Sequence, residues 1–437
     1  MQRAGVGAAQ QIWRIDDGSP FLALCGPGNN GGDGYVIAQW LLEKGADITV
    51  ARSAAPTTDA AAYAASQWQG KTVLIEDADP APQFIDCLFG TGLTRPIDGI
   101  LSKYLSRLSS KAHRRYAVDF PSGVHSDTGV CLNHVDPFDL TIALGAYKPS
   151  HFLMPARDIM GQLTAVPIGI DTPSKVQIIA RPNIAPPKPD SHKYSRGLVA
   201  VIAREMHGAA RLAALAAQQT GAGYTKILGE RRLASPNHSI VVGEREKSGD
   251  LAAQLEDQRI SSVVIGPGLG RSEQSRELLE MALASGKPLV LDADALVLLG
   301  IDCGKRIAKH DAPVIVTPHQ GEFESIYNGN GGSKIELAQA FAKNSNATVL
   351  YKGADTVIAA PDGRAAVDAM TSSWLSTAGS GDVLAGMIAS RFAALGDMFH
   401  AASEAQWLHS RAAQLSGPAF SPEKLIEHIA PALQECL

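Results

Sequence analysis

The sequence is short of cysteine, of basic charge and of long apolar runs, and each shortage excludes a class of protein. Its five cysteines, Cys25, Cys87, Cys131, Cys303 and Cys436, are odd in number and contain no CxxC pair. That fits neither a disulfide framework nor a zinc site, and it suits a reducing compartment, the cytoplasm. No run approaches the ~18 uninterrupted apolar residues of a membrane span, and the N-terminal MQRAGVGAAQQIWRIDD has no apolar stretch of signal-peptide type. With 39 Lys and Arg against 44 Asp and Glu, the formal net charge is -5, which argues against nucleic acid or an anionic membrane as partner. Small anions stay open, because helix N-termini bind them without basic side chains. What the chain has is length and glycine. Its 437 residues, 45% hydrophobic and 19% charged, can bury a sizeable core and suggest two or three domains. The 42 glycines exceed the ~7% average.

Short apolar runs alternate with amphipathic stretches. Phe21–Cys25 reads as a buried strand, Tyr35–Lys44 as a helix ended by Gly45, and Ile48–Val50 as the next strand. Phe84–Leu88, Tyr116–Val118 and Leu140–Leu144 continue the rhythm. A βαβ rhythm predicts α/β architecture, a parallel sheet with helices on both faces. Residues 181–190 hold four prolines in ten and read as an extended linker, so domains are expected at 1–180 and 191–437. Beyond the linker, strands are expected at Leu198–Ile202, Ser262–Ile265, Pro288–Leu291, Val314–Val316 and Thr348–Tyr351, and a helix at Ala209–Gln219.

Residues 26–34, GPGNNGGDG, lie between a strand and a helix and satisfy GxGxxG through Gly26, Gly28 and Gly31. Glycines let backbone N–H groups approach a phosphate. The acid that a dinucleotide fingerprint wants after the second strand is replaced by Arg52, which disfavours a simple NAD dehydrogenase. Asn29, Asn30 and Asp33 are more polar groups than a turn requires, and their oxygens suit a hard cation. Asp86, Asp119 and Ser122 stand at two further strand ends, where ligands bind in parallel sheets.

In the second half, Ser376-Thr-Ala-Gly-Ser-Gly-Asp382 precedes a helix expected at Val383–Phe392. Amides at that helix start can hold a moving phosphoryl group. Asp382 serves equally as an N-cap or as a base. Strand-end loops GPGLG (266–270), LDADAL (291–296), TPHQGE (317–322) and KGADT (352–356) converge on the same edge, and the two carboxylates of LDADAL suit Mg²⁺ through water. Gly70-Lys71-Thr72 mimics a Walker A ending, but position 65 is Ala. A glycosidase pair in LDADAL has no other support.

GPGNNGGDG, DCLFGTGL and VDFPSG followed by Asp127-Thr-Gly resemble the YjeF N-terminal type, the NAD(P)H-hydrate epimerase family, over roughly residues 1–170. The resemblance implies a Rossmann-like three-layer αβα domain. It implies substrate contacts by Asn29, Asn30, Gly31, Gly32 and Asp33, by Gly90, Thr91, Gly92, Leu93, Thr94, Arg95 and Pro96, and by Asp119, the acid/base candidate. It also implies K⁺ held by Asn30, Asp86 and Ser122. Lys148 matches a family lysine; a solvated surface lysine is the equal alternative. Family members usually carry a helical segment ahead of the stretch matching residues 1–5, and epimerase competence is expected to depend on it.

HGAARLAALAAQQTGAG, VVIGPGLG, LDADAL, TPHQGE, KGADT and STAGSGDVLAG occur across about 190–437 and resemble the ribokinase-like ADP/ATP-dependent NAD(P)H-hydrate dehydratase family. Ala209, Gly268 and His319 would then contact the hydrated nicotinamide nucleotide. Lys352, Gly353, Ala354, Asp355, Thr356 and Gly381 would bind the adenine nucleotide, with Asp382 as the catalytic aspartate. Residues 371–375, TSSWL, depart from the family's usual Asn-Pro-Gly type. Together the resemblances imply epimerisation of R- and S-NADHX and NADPHX, dehydration of the S form at the expense of ADP or ATP with release of phosphate, and assembly as a homo-oligomer. The alternative is a ribokinase-type small-molecule kinase with a non-catalytic nucleotide-binding domain.

Overall fold

A computed structural model of the chain describes residues 1–230, 235, 237–245, 250–329 and 331–437. It divides into two compact units, Met1–Pro173 and Ser174–Leu437. Both are α/β.

The first unit holds strands β1 (Phe21–Cys25), β2 (Ile48–Arg52), β3 (Lys71–Leu74), β4 (Gln83–Cys87), β5 (Arg114–Val118), β6 (Leu140–Leu144) and β7 (Gln162–Val166). Their order is β3-β2-β1-β4-β5-β6-β7, all parallel. β1 is buried on both faces. Phe21, Ala23 and Cys25 pack with Ile12, Ile37 and Leu41, whereas Leu22 and Leu24 pack with Phe84 and Leu108 on the other side. That double burial is why FLALC reads as a continuous apolar run. Cys25 registers against both Arg52 and Cys87, so the loops after β1, β2 and β4 leave from one edge. The strand order reverses between β1 and β4, where doubly wound sheets bind ligands.

The second unit contains β8 (Val176–Ile178), β9 (Leu198–Ile202), β10 (Tyr224–Glu230), β11 (Val241–Arg245), β12 (Ile260–Ile265), β13 (Leu289–Leu291), β14 (Val314–Val316), β15 (Thr348–Tyr351), β16 (Val357–Ala359) and β17 (Ala365–Val367). The order is β11-β10-β9-β12-β13-β14-β15-β16-β17-β8, with the same reversal between β9 and β12. It is parallel from β11 to β15, and then β16 and β17 add antiparallel.

The expected boundaries at 180 and 191 are corrected. β8 pairs with β17 of the second sheet, Ile179 and Ile184 are buried in that unit's core, and Ile184 N donates to Cys436 O at 2.8 Å. The prolines of residues 181–190 preclude a helix, but the apolar residues beside them still bury, so this stretch packs on its unit instead of linking freely. The strands missed in the sequence include edge strands such as β3 and β7, whose mostly uncovered residues give no apolar run.

Two helices begin earlier than their apolar periodicity indicates. The first spans Asn29–Glu43, which puts Asn29, Asn30, Gly31, Gly32 and Asp33 in its opening turns and not in a loop. A Cβ on Gly31 would lie 1.8 Å from Gly26 O, and one on Gly34 would lie 2.7 Å from both Cys25 Sγ and Cys87 Cβ. These glycines therefore let the helix press onto the strand ends. The other, Ser380–Leu395, follows Gly379 at φ 95 and includes Gly381 and Asp382 in its first turn. Further along, a Cβ on Gly386 would lie 2.0 Å from Ala213 O of the helix His207–Gln219. Gly386→Ala is expected to force these helices apart and to cost about 1–3 kcal/mol, read as a lower denaturation midpoint of the second unit in urea.

Candidate active sites

In the first unit the loops after β4, β5 and β6 surround Asp119. This residue has φ 68, a left-handed conformation that Asp tolerates better than most side chains. It is held there from several directions. Its N–H donates to Ile142 O at 2.8 Å, and its carbonyl accepts from His151 Nε2 at 2.8 Å. Its Oδ1 is paired with Lys148 Nζ and accepts from Leu144 N at 3.3 Å. Lys148 Nζ also donates to Leu144 O at 2.8 Å. Lys148 is thus a built part of this cluster and not a solvated surface lysine. His151 accepts from Lys148 N on Nδ1 at 2.9 Å, so its proton lies on Nε2, and burial lowers its pKa despite its bonds. Its ring stacks on Phe120, centroids 4.7 Å apart. No motif marks His151 in the sequence; only the fold brings it under Asp119.

Gly90 borders both Asn30 and Asp119: a Cβ there would lie 3.4 Å from Asn30 Cγ and from Asp119 Oδ2. Among the described residues, the buried amide nitrogen of Asn30 and the buried Asp33 Oδ1 have no hydrogen-bond partner. Burial pushes the Asp33 carboxyl up to about 7. Asn29 is exposed and accepts from Thr58 Oγ1 at 2.7 Å, which adds the loop after β2 to the edge. Along residues 90–96, Thr91, Gly92, Thr94, Arg95 and Pro96 are exposed. Leu93 is instead buried in the core beside Leu22 and Phe84, so its side chain is withdrawn from the surface that its neighbours offer.

Asp86 is fully buried. Oδ1 accepts from Leu88 N at 3.0 Å and from Ser122 Oγ at 2.7 Å, and Oδ2 accepts from Ser122 N at 2.7 Å. Burial pushes its pKa up to about 6 against these bonds. Ser122 Oγ also accepts from Phe89 N at 3.0 Å.

The second unit gathers charge at the start of the helix Ser380–Leu395. Lys352 Nζ lies 2.7 Å from Asp292 Oδ1 and 3.8 Å from Glu322 Oε2, and 3.4 Å from where a Cβ on Gly381 would be. Burial opposes the ammonium, but Asp292, Glu322 and Asp382 outweigh it and raise the lysine's pKa. Lys352 therefore leaves the 353–356 turn with which it was grouped. That turn is closed by Thr356 Oγ1, which donates to Gly353 O at 2.8 Å. Asp355 in it pairs with Lys334 Nζ at 2.5 Å. The two carboxylates of LDADAL also part. Asp294 accepts from Gly270 N at 2.9 Å and Arg271 Nε at 2.8 Å, and Asp292 alone joins Lys352. The residue between them, Ala293, has φ 47, which sends the two side chains to different partners.

Asp382 carries no capping bond, so it is not the N-cap; Gly379 is. Burial first, and then repulsion from Asp292, push its pKa up to about 6, with Lys352 opposing. His319 caps the helix Gln320–Ile326 reciprocally with Glu322, and 62% of its side chain is exposed. Pro318 O accepts from Lys352 N at 2.8 Å. Gly268 and Ala209 meet through Met206, whose N–H donates to Gly268 O at 2.9 Å and whose carbonyl accepts from Ala209 N at 3.2 Å. Glu322 was not singled out in the sequence, although its place three residues after His319 is a capping-box signal.

An aspartate pushed up to about 6, a half-buried lysine paired to a second aspartate and a helix start beside them are groups suited to phosphoryl transfer in a nucleotide-handling α/β domain. Here it shares a chain with a second doubly wound domain. Residues 199–434 match the family model described as NAD(P)H-hydrate dehydratase, and residues 1–150 match YjeF-related protein N-terminus. The bifunctional NAD(P)H-hydrate repair enzyme Nnr of Thermofilum pendens is 33% identical over 436 residues, covering 90% of this chain and 82% of that one. The ADP/ATP-dependent NAD(P)H-hydrate dehydratase from Bacillus subtilis, co-crystallised with ATP/Mg²⁺, superposes with a TM-score of 0.52 at 26% identity, over 58% of this chain and 95% of that one. A ribokinase-like superfamily protein from Enterococcus faecalis, 22% identical with a TM-score of 0.54 over 61% of this chain and 98% of that one, shares the fold. The chain belongs to the bifunctional NAD(P)H-hydrate repair enzyme family.

With Asp382 titrating near 6, the rate of a reaction that needs its carboxylate should fall as pH drops through 6. Lys352 favours the charged form, so Lys352→Met is expected to move that acidic limb upward by about one pH unit. The pH profile of kcat/KM for hydrate dehydration checks both.

Proposed function

We propose that Asp382 and the amides of the first turn of Ser380–Leu395 carry out the dehydratase chemistry, and that Asp119 with Lys148 carries out the epimerase chemistry. The chain repairs hydrated nicotinamide nucleotides: it interconverts R- and S-NAD(P)HX, and it restores NAD(P)H from the S form at the expense of ADP or ATP. The observation that carries the dehydratase assignment is the cluster of Asp382, Lys352, Asp292 and Gly381 at one helix start. Asp382 takes the proton of the ring hydroxyl, whose oxygen then attacks the terminal phosphorus of the nucleotide and breaks its bond to the bridging oxygen, so that AMP leaves from ADP, or ADP from ATP. Free N–H groups at the helix start stabilise charge on the moving group. The phosphate ester leaves as inorganic phosphate with loss of a ring proton, and the double bond returns. Phosphorylation is needed because hydroxide is a poor leaving group.

Gly268, Ala209 and His319 line the substrate side, and the 353–356 turn takes the adenine nucleotide. Mg²⁺ suits the second oxygen of Asp292, which is not used by Lys352, and would screen charge on the donor phosphates. The oxygens of Asn30, Asp86 and Ser122 suit K⁺: among the described residues no cationic side chain is paired with buried Asp86, and a monovalent cation would supply that charge. In the first unit, Asn29–Asp33 and the exposed part of residues 90–96 receive the hydrated nucleotide. Asp119 moves a proton at the hydroxyl-bearing carbon's substituent, and Lys148 holds its carboxylate. Five free cysteines support a cytoplasmic setting, and the family resemblance supports a homo-oligomer. Among the described residues, no helix is long and apolar enough to cross a membrane.

Given S-NADHX with ADP or ATP, the protein should restore NADH absorbance and release phosphate. A stable phosphorylated product would support the plain kinase instead, and no turnover with either donor would remove the dehydratase reading. Asp382→Asn should lower the rate by at least about 10²-fold while nucleotide still binds, as measured by calorimetry. Supplied with pure R epimer, wild type should consume it through epimerisation. Lys148→Met should slow that about 10–100-fold and leave the S form's turnover unchanged; equal consumption by both proteins would take Lys148 out of the role.

A further inference from the structure

The helix Met398–Ser416 is apolar over most of its buried face, with Ala402, Ala405, Leu408 and Ala412 in the core. Four buried polar residues interrupt it, and three of them, Gln406, His409 and Ser410, are spaced i, i+3 and i+4 and so lie on one side of the helix. Gln406 Nε2 and Ser410 Oγ donate to Asp368 Oδ2 at 2.8 and 2.6 Å, and Asp368 N donates to Thr356 O at 3.0 Å. This ties the helix to the nucleotide turn. His409 does something different. Its Nε2 lies 3.0 Å from Ser380 O. A carbonyl only accepts, so Nε2 carries the proton. Its buried Nδ1 has no partner among the described residues, and burial lowers the ring's pKa to about 4, which keeps the imidazole neutral at working pH.

The carbonyl of Ser380 and the N–H of Gly381 belong to one peptide group. A hydrogen bond accepted by that oxygen fixes the peptide plane and strengthens its N–H as a donor. Gly381 stands in the first turn of its helix, where N–H groups have no intrahelical acceptor. Ser380 Oγ braces the same turn from the other side by donating to Leu375 O at 2.7 Å and Thr377 O at 2.9 Å. An apolar side chain would fill the space of His409 without burying an unpaired ring nitrogen, and the bond to Ser380 O is what the imidazole provides in return.

We infer that His409 is a positioning residue for phosphoryl transfer: its Nε2–H holds the Ser380–Gly381 peptide so that the Gly381 N–H faces the moving phosphoryl group. The inference rests on the dehydratase assignment above. The test compares wild type, His409→Leu, His409→Gln and Asp382→Asn in NADH recovery from S-NADHX with the active donor, alongside melting temperatures. Glutamine places a donor near the Nε2 position, and leucine places none. His409→Leu should lower kcat about 10–100-fold with nucleotide KM within about twofold of wild type, and His409→Gln should recover most of the loss. A kcat for His409→Leu close to wild type would overturn the inference, as would a His409→Gln variant as slow as His409→Leu. If His409→Leu fails to fold, His409→Asn, too short to reach Ser380 O, takes its place against His409→Gln under the same criteria. Inactivity of wild type, or full activity of Asp382→Asn, would strike the dehydratase assignment itself.

Discussion

The charge cluster of the second unit depends on one half-buried ammonium. Lys352 stands between Asp292 and Glu322 at the mouth of the helix that carries Asp382. Without a cation there, three carboxylates would converge in a partly desolvated space, and the cost of charging them would rise steeply. With it, Asp292 and Glu322 are held in place, and Asp382 is left near 6, ionised at neutral pH yet still basic enough to take a proton. The same lysine draws together the ends of β13, β14 and β15: Asp292 directly follows the first, Glu322 sits in the helix after the second, and Lys352 itself directly follows the last.

The first unit solves a related problem with a different balance. Asp119 is paired to Lys148, and its backbone is pinned by His151 and Ile142 in a conformation that few side chains adopt. Two other carboxyls, Asp33 and Asp86, are pushed up to about 7 and about 6 by burial, with the N-terminal ammonium opposing the shift at Asp33. The lysine is committed to the proposed acid/base residue, and the other two carboxyls are governed by burial.

Glycine connects fold and site in both units. Gly31 and Gly34 let a helix start directly on the ends of β1 and β4, and Gly266 lies where any Cβ would come within 1.7 Å of Asp292 O. The surplus of glycine in the composition is partly close packing at the switch points and partly turn geometry, such as Gly379 at φ 95 ahead of the Ser380 helix. Phosphate approach and backbone packing draw on the same property, the absence of a side chain, which is why the pattern alone does not separate them.

The sequence by itself determined the α/β class and the buried central strands, because runs such as FLALC and LVAVI are short, apolar on both faces and set in a βαβ rhythm, which suits interior parallel strands. It also determined the family, through motifs in order along both halves. Only the tertiary structure decided which side chains meet. It buried Leu93 in the core among exposed neighbours, separated Asp292 from Asp294, and turned Lys352 away from its own turn toward Asp292 and Glu322. It also brought in His151, Glu322 and His409, which come from distant or unmarked positions. It moved the domain boundary as well, since a proline-rich stretch that cannot be a helix can still pack. The division has one physical reason: apolar periodicity is local and is written along the chain, whereas a charge finds its partner across strands, after the sheet has set the distances.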